Sequence, residues 1–182
     1  MGPLGFGGFS MEPPCSTIDT QTYERQLDRI QSFHPRIDSK VSALFAITTG
    51  QVAIAIVNLR PDDLQLWIGI PLEFFGAIAI YIYVQLYRCA FPHLEGGEGS
   101  LVYFREIAKL SSEQYADKFG KISQDELKAD LICQIWRNSE IVAMKYDRLK
   151  CATVAVTLAL IPWTVFLVAT SLRHWEVPKI AG

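Results

Sequence analysis

Three stretches of the chain are apolar almost without interruption, and charge is crowded between them. Residues 41–59 hold no charged side chain, residues 64–87 hold one, Glu73, and residues 151–172 hold none. A helix needs about 20 apolar residues to cross a hydrocarbon core, so each stretch passes on length. The soluble alternative is a pair of buried helices in a globular core. Core helices rarely run this long without charge, and here there are three. The expected fold class is an all-α membrane protein: three transmembrane helices with long helical cytoplasmic stalks that form a small helical cytoplasmic domain.

The polar segments have a helical period of their own. Tyr23, Leu27, Ile30, His34, Ile37, Val41 and Leu44 alternate by four and three, a heptad seam that runs straight into the first span. Pro35 is expected to kink or divide that helix. Ser111 with Gln114, and Ser123 with Glu126, have capping-box spacing. The second box opens a helix in which Leu127, Leu131, Ile135, Asn138, Val142, Tyr146 and Leu149 repeat the same alternation. It continues into the third span, and from Ser123 to Arg173 it would extend about 75 Å. Asn58–Asp63 is a short turn, so the first two spans form an antiparallel hairpin, with Asp62 or Asp63 capping the second. Glu95-Gly96-Gly97-Glu98-Gly99-Ser100 is a flexible loop leaving the second span. The predicted layout is a disordered segment 1–16, a helical arm 17–40, spans at 41–59 and 64–87, a helical region 88–150, a span at 151–172 and a tail 173–182.

Charge orients these parts. Of 17 Lys and Arg residues, all but Arg60, Arg173 and Lys179 lie in the arm or the 88–150 region. Basic flanks stay in the cytoplasm, so the N-terminus is predicted cytoplasmic and the C-terminus outward. Trp67 and Trp175 mark the outer interface, and Tyr83 and Tyr87 the inner one. A net charge of −2 gives no argument for nucleic-acid binding. Cys15, Cys89, Cys133 and Cys151 form no CxxC pair and read as reduced thiols. Met1–Ser10 is Gly-rich, precedes a second methionine at Met11, and lacks the basic n-region of a cleavable signal.

Little of this resembles an enzyme: there is no GxSxG, HExxH or Walker loop, and no catalytic residue or metal ligand is predicted. Glu73 is the exception to the apolar pattern. A carboxylate near mid-bilayer costs at least ~2.5 kcal/mol, so it must face other helices, a water-filled cavity, or be protonated. It reads either as a membrane gate or as an interhelical hydrogen bond to Thr48, Thr49 or Gln51. Pro162 frees a carbonyl in the third span, which makes it a hinge candidate or a static bend that Thr164 or Ser171 compensates. His34 and Asn138 are polar members of apolar seams. They either fix register or border a ligand cavity between the stalks.

Two groups of residues carry a family resemblance. One is Arg36-Ile37-Asp38-Ser39-Lys40, entering the first span. The other is Tyr103-Phe104-Arg105-Glu106-Ile107-Ala108, then Tyr115, then Asp130-Leu131, Gln134-Ile135, Asn138-Ser139, Ile141 and Lys145-Tyr146. In this order, with two spans before and one after, they resemble the transmembrane effector family of bacterial Pycsar antiphage systems, over roughly Tyr23 to Leu172. The resemblance implies an inner-membrane effector that responds to a cyclic pyrimidine mononucleotide, cCMP or cUMP, and disrupts the membrane in abortive infection. No strand-rich segment could build a nucleotide-binding β-roll, so such a ligand would bind the helical region. Arg105 and Lys145 are then candidates for its phosphate, Gln134 and Asn138 for its base edge, and Tyr103 for stacking. Three spans enclose no wide pore, so a homo-oligomer in the bilayer is expected. Two other readings need no messenger: a membrane scaffold whose stalks recruit a partner, and an ion or proton pathway subunit using Glu73.

Overall fold

A computed structural model describes residues 19–63, 66–92 and 97–175. Expectations for residues 1–16, for Glu95 and Gly96, and for the chain beyond Trp175 lie outside the described residues. Six α-helices follow in order: α1 (Thr20–Gln31), α2 (Phe33–Asn58), α3 (Leu66–Ala90), α4 (Phe104–Ile107), α5 (Ser112–Lys121) and α6 (Gln124–Trp175). The protein is all-α, and three helices are long and apolar enough to cross a membrane.

Proline divides the arm. α1 ends at Gln31, and Pro35 is the third residue of α2, where a helix has no amide partner to lose. The Ser32 amide donates to the Asp28 carbonyl, and its hydroxyl donates to that of Arg29. Both capping boxes form. The Gln114 amide donates to Ser111 Oγ, and the Glu126 amide to Ser123 Oγ. Each Gln or Glu side chain reaches back to the amide of its capping serine. From the second box α6 runs 52 residues, about 78 Å, straight through Pro162.

In the membrane half, α3 packs on α6. Ile68, Phe75, Ala79, Ile82 and Leu86 meet Ala152, Ala155, Ala159, Phe166 and Ala169. Alanines on α6 let the backbones approach closely, the usual source of contact between helices that gain nothing from leaving lipid. α2 joins through Ala55 and Thr48. The Trp163 indole N–H donates to the Gln51 carbonyl at 3.0 Å, beside Pro162. The opposite faces carry exposed Phe45, Ile54, Phe74, Ile80, Leu158, Ile161 and Val165, an apolar girdle suited to lipid. At the hairpin end, Asp63 accepts from the Arg60 amide and pairs with Arg173, closing the turn onto the end of α6.

In the polar half, the arm packs on α6 of the same chain. Leu27, Ile30 and Ile37 are buried as the heptad predicts. The facing seam of α6 keeps the predicted Leu131 and Leu149 buried and is rotated between them. Gln134, Ile141 and Lys145 are buried, and Tyr146 is 58% exposed. The two polar side chains turn inward because each finds a partner there: Gln134 the Ser100 hydroxyl, Lys145 the Asp38 carboxylate.

Candidate functional site

A loop closes the space between arm and stalk. Gly97 and Gly99 have φ of +86° and +75°, the left-handed region that glycine enters without penalty. At Gly97 an added Cβ would stand 3.0 Å from the Tyr103 ring. The loop is tied down at Ser100, whose Oγ accepts from the amides of Val102 and Tyr103 and from Gln134 Nε2. Asp130 holds the Leu101 amide at 2.9 Å. These bonds fix Tyr103 against α6.

Beneath this loop lies a cavity of about 480 Å³, inside the common ligand-pocket range of about 300–1,000 Å³. The arm supplies Leu27, Gln31 and His34 to its wall. The loop supplies Val102, Tyr103 and Phe104, and α6 supplies Gln134, Arg137, Asn138, Ile141 and Lys145. Four predicted contacts, Tyr103, Gln134, Asn138 and Lys145, thus stand around one space. Arg105 does not: it is exposed on α4 and absent from the wall. Arg137 is the second cation there. It stands one turn after Gln134, a spacing that puts both on one face of α6, and that spacing was the available signal for it.

Among the described residues the cavity wall holds two cations and no carboxylate. Arg137 lies 3.5 Å from Glu140 on its own helix. The Lys145 side chain is only 7% exposed and pairs at 2.8 Å with Asp38, which is half exposed. Its carbonyl accepts from Cys89 Sγ at the end of α3. One turn before Asp38, His34 stands beside Asn138 on the cavity wall, and the Asn138 side-chain amide donates to the Gln134 carbonyl. Two polar contacts, His34–Asn138 and Asp38–Lys145, therefore join the polar end of α2 to α6, and both involve cavity-wall residues of α6.

Burial holds His34 below the ordinary histidine value of 6.5, and the Lys145 charge adds to this. The Asp38 charge and the Asn138 side chain oppose it. A histidine depressed in the folded state binds fewer protons there than in the unfolded chain. Its contribution is complete above about pH 6.5 and is lost as pH falls through its lowered value. Acidification from about pH 7.5 to about pH 5.5 should therefore lower the hydrogen-exchange protection factors of α1 and the first turns of α2, after correction for the slower intrinsic exchange at low pH. His34→Gln should flatten that dependence. An equal pH response in the variant would assign the effect to another group.

The membrane candidates stand apart from the cavity. Glu73 is exposed on α3 and makes none of the expected bonds to Thr48, Thr49 or Gln51. Thr48 donates to the Leu44 carbonyl, Thr49 shares a hydrogen bond with Tyr83, and the Gln51 amide is buried without a partner among the described residues. Pro162 lies within α6. Thr164 and Ser171 are exposed and make no bond among the described residues. Described residues include no group of three or more metal-ligand side chains.

No curated protein and no solved structure matches the chain. Comparison with protein families matches residues 22–171 to the Pycsar effector protein domain, PycTM. That match takes in the arm, all three membrane helices and the whole cavity wall. The chain belongs to the Pycsar effector transmembrane family, a membrane family of antiphage defence associated with cyclic-nucleotide signalling.

Proposed function

We propose that the cavity between arm and stalk takes a cyclic pyrimidine mononucleotide, cCMP or cUMP, and that its occupancy drives the spans to disrupt the bacterial inner membrane. The supporting observation is the cavity itself: Tyr103, Gln134, Asn138 and the buried Lys145 line one space, with Arg137 beside them. Lys145 and Arg137 meet the cyclic phosphate, Gln134 and Asn138 read the base edge, and Tyr103 stacks on the ring. No catalytic step is involved. The arm and stalk face the cytoplasm, where a cyclase product is released.

Coupling follows from shared partners. A phosphate at Lys145 competes with Asp38, and a base edge at Asn138 competes with His34. Both displaced residues sit on α2, which is continuous from Phe33 to Asn58. Loosening its polar end therefore reaches the membrane half without crossing a joint. Such a ligand acts only by binding the loosened packing better than the closed one. Several copies are needed to breach a bilayer, because three helices enclose no wide pore.

Titration calorimetry of the purified protein with cCMP, cUMP, cAMP and cGMP tests the reading. Saturable heat with a pyrimidine ligand, and much weaker heat with purine ligands, is expected. No heat with any of the four, and no growth arrest on co-expression with an active cyclase, would overturn it.

A further inference from the structure

Two polar groups in the membrane half face away from their own bundle. On α3 the inward face is Ile68, Phe75, Ala79, Ile82 and Leu86. At 100° per residue Glu73 lies roughly 160° from Phe75, which puts it on the outer side, and it is exposed. Gly69 and Gly76 flank it one turn away on either side, and nothing lies within 4 Å of where a Cβ would stand at either. On α6 the inward face includes Ala152, Ala159 and Phe166. Thr157, Thr164 and Ser171, seven residues apart, form an exposed hydroxyl stripe on the outer side. Thr157 satisfies itself on the Thr153 carbonyl, whereas Thr164 makes no bond among the described residues.

These groups share a depth. α3 and α6 run antiparallel, with Cys89 against Lys145, Gln85 against Arg148 and Asp63 against Arg173. In that register Thr164 stands within about one turn of Glu73 in height. A carboxyl group exposed to lipid at this depth is costly. Among the described residues Glu73 has no partner.

We propose that copies of this chain associate in the membrane through unlike faces. The Gly69–Glu73–Gly76 face of α3 on one copy seats against the Thr157–Thr164–Ser171 face of α6 on the next. The two glycines admit the neighbouring helix closely, and the Thr164 hydroxyl donates to a Glu73 carboxyl oxygen. Because copies share one orientation in the bilayer, the incoming α6 is antiparallel to α3 and keeps the depth register of the chain's own α6. The contact leaves one face unused at each end of a pair, so it propagates until a ring closes. It depends on membrane insertion and owes nothing to the nucleotide reading.

Cross-linking of the full-length protein tests this in native membranes. All four cysteines are first replaced by serine or alanine. Gly76→Cys and Leu160→Cys are then placed in separately tagged chains, alone and together, without nucleotide. Oxidation should yield a dimer carrying both tags, because the two positions lie level on the facing helices. A dimer formed by Gly76→Cys chains alone, with none between unlike tags, would overturn the proposal in favour of like faces. Monomers only would overturn it in favour of lipid contact. As a second measurement, Glu73→Ala and Thr164→Val should each weaken association in bilayers about three- to eighteen-fold. Glu73→Gln should restore most of the loss, and unchanged association in both single variants would also sink the idea.

Discussion

Replacing Lys145 by methionine should weaken cyclic-nucleotide binding by about 10- to 150-fold while leaving the fold in place. The loss follows from removing a charge-assisted contact to phosphate, worth about 1.5–3 kcal/mol. Lys145 is the most buried cation of the cavity wall, where such a contact is screened least. Methionine keeps the stem that packs between arm and stalk. The partner it leaves behind, Asp38, is half exposed and is hydrated once released, so the stability cost stays small. Calorimetry gives the affinity, and helical circular dichroism in detergent checks the fold. Arg105→Ala is the contrast. Its side chain lies outside the wall, so its affinity change should stay within about twofold. A larger loss from Arg105→Ala than from Lys145→Met would move the phosphate site out of this cavity.

Length and charge made the membrane helices legible, because 19 or more residues without a paired charge have few other uses. The capping boxes were legible for a similar reason: the bond runs between residues three apart, and tertiary contacts barely enter. The arm seam also held through Leu27, Ile30 and Ile37. The stalk seam holds at Leu131 and Leu149 and shifts between them, and the reason is chemical. Heptad reading assigns apolar side chains inward, whereas α6 turns Gln134 and Lys145 inward to meet Ser100 and Asp38. Asp38 is 107 residues from Lys145 in the chain, and no local period encodes such a pair. Arg137 was missed because its helix face was misplaced by that rotation. Arg105 is a phosphate candidate by its charge and its place in the family-like motif, and its four-residue helix leaves it exposed. Glu73 stands out in the sequence as the one charge within the three spans. That it has no partner among the described residues depends on how α3 rotates against α6, which Phe75 and its inward neighbours decide.

Asp38→Asn should convert a ligand-dependent protein into one active without ligand. The Asp38–Lys145 pair is one of the two polar contacts that join α2 to the cavity wall, and it spans the arm and stalk at the membrane edge. Losing the carboxylate leaves Lys145 buried and unpaired, a state that costs several kcal/mol when both partners are buried. Here the exposed side of the pair reduces that to about 1–3 kcal/mol. The cost falls on the closed packing, since a loosened α2 lets water or an anion reach Lys145. Two readouts follow. Expression without a cyclase should arrest growth and admit a membrane-impermeant dye. Purified protein should bind nucleotide about tenfold more tightly, because its phosphate no longer competes with a carboxylate. Asp38→Glu preserves the pair and should stay silent until a cyclase is present. The exchanged pair, Asp38→Lys with Lys145→Asp, separates closure from binding. It restores the ion pair but turns an anion toward the cavity, so it should be silent with or without the cyclase. An Asp38→Asn strain that grows normally alone and responds to the cyclase like the parent would show that closure does not run through this pair. In that case the coupling would have to rest on His34 and Asn138.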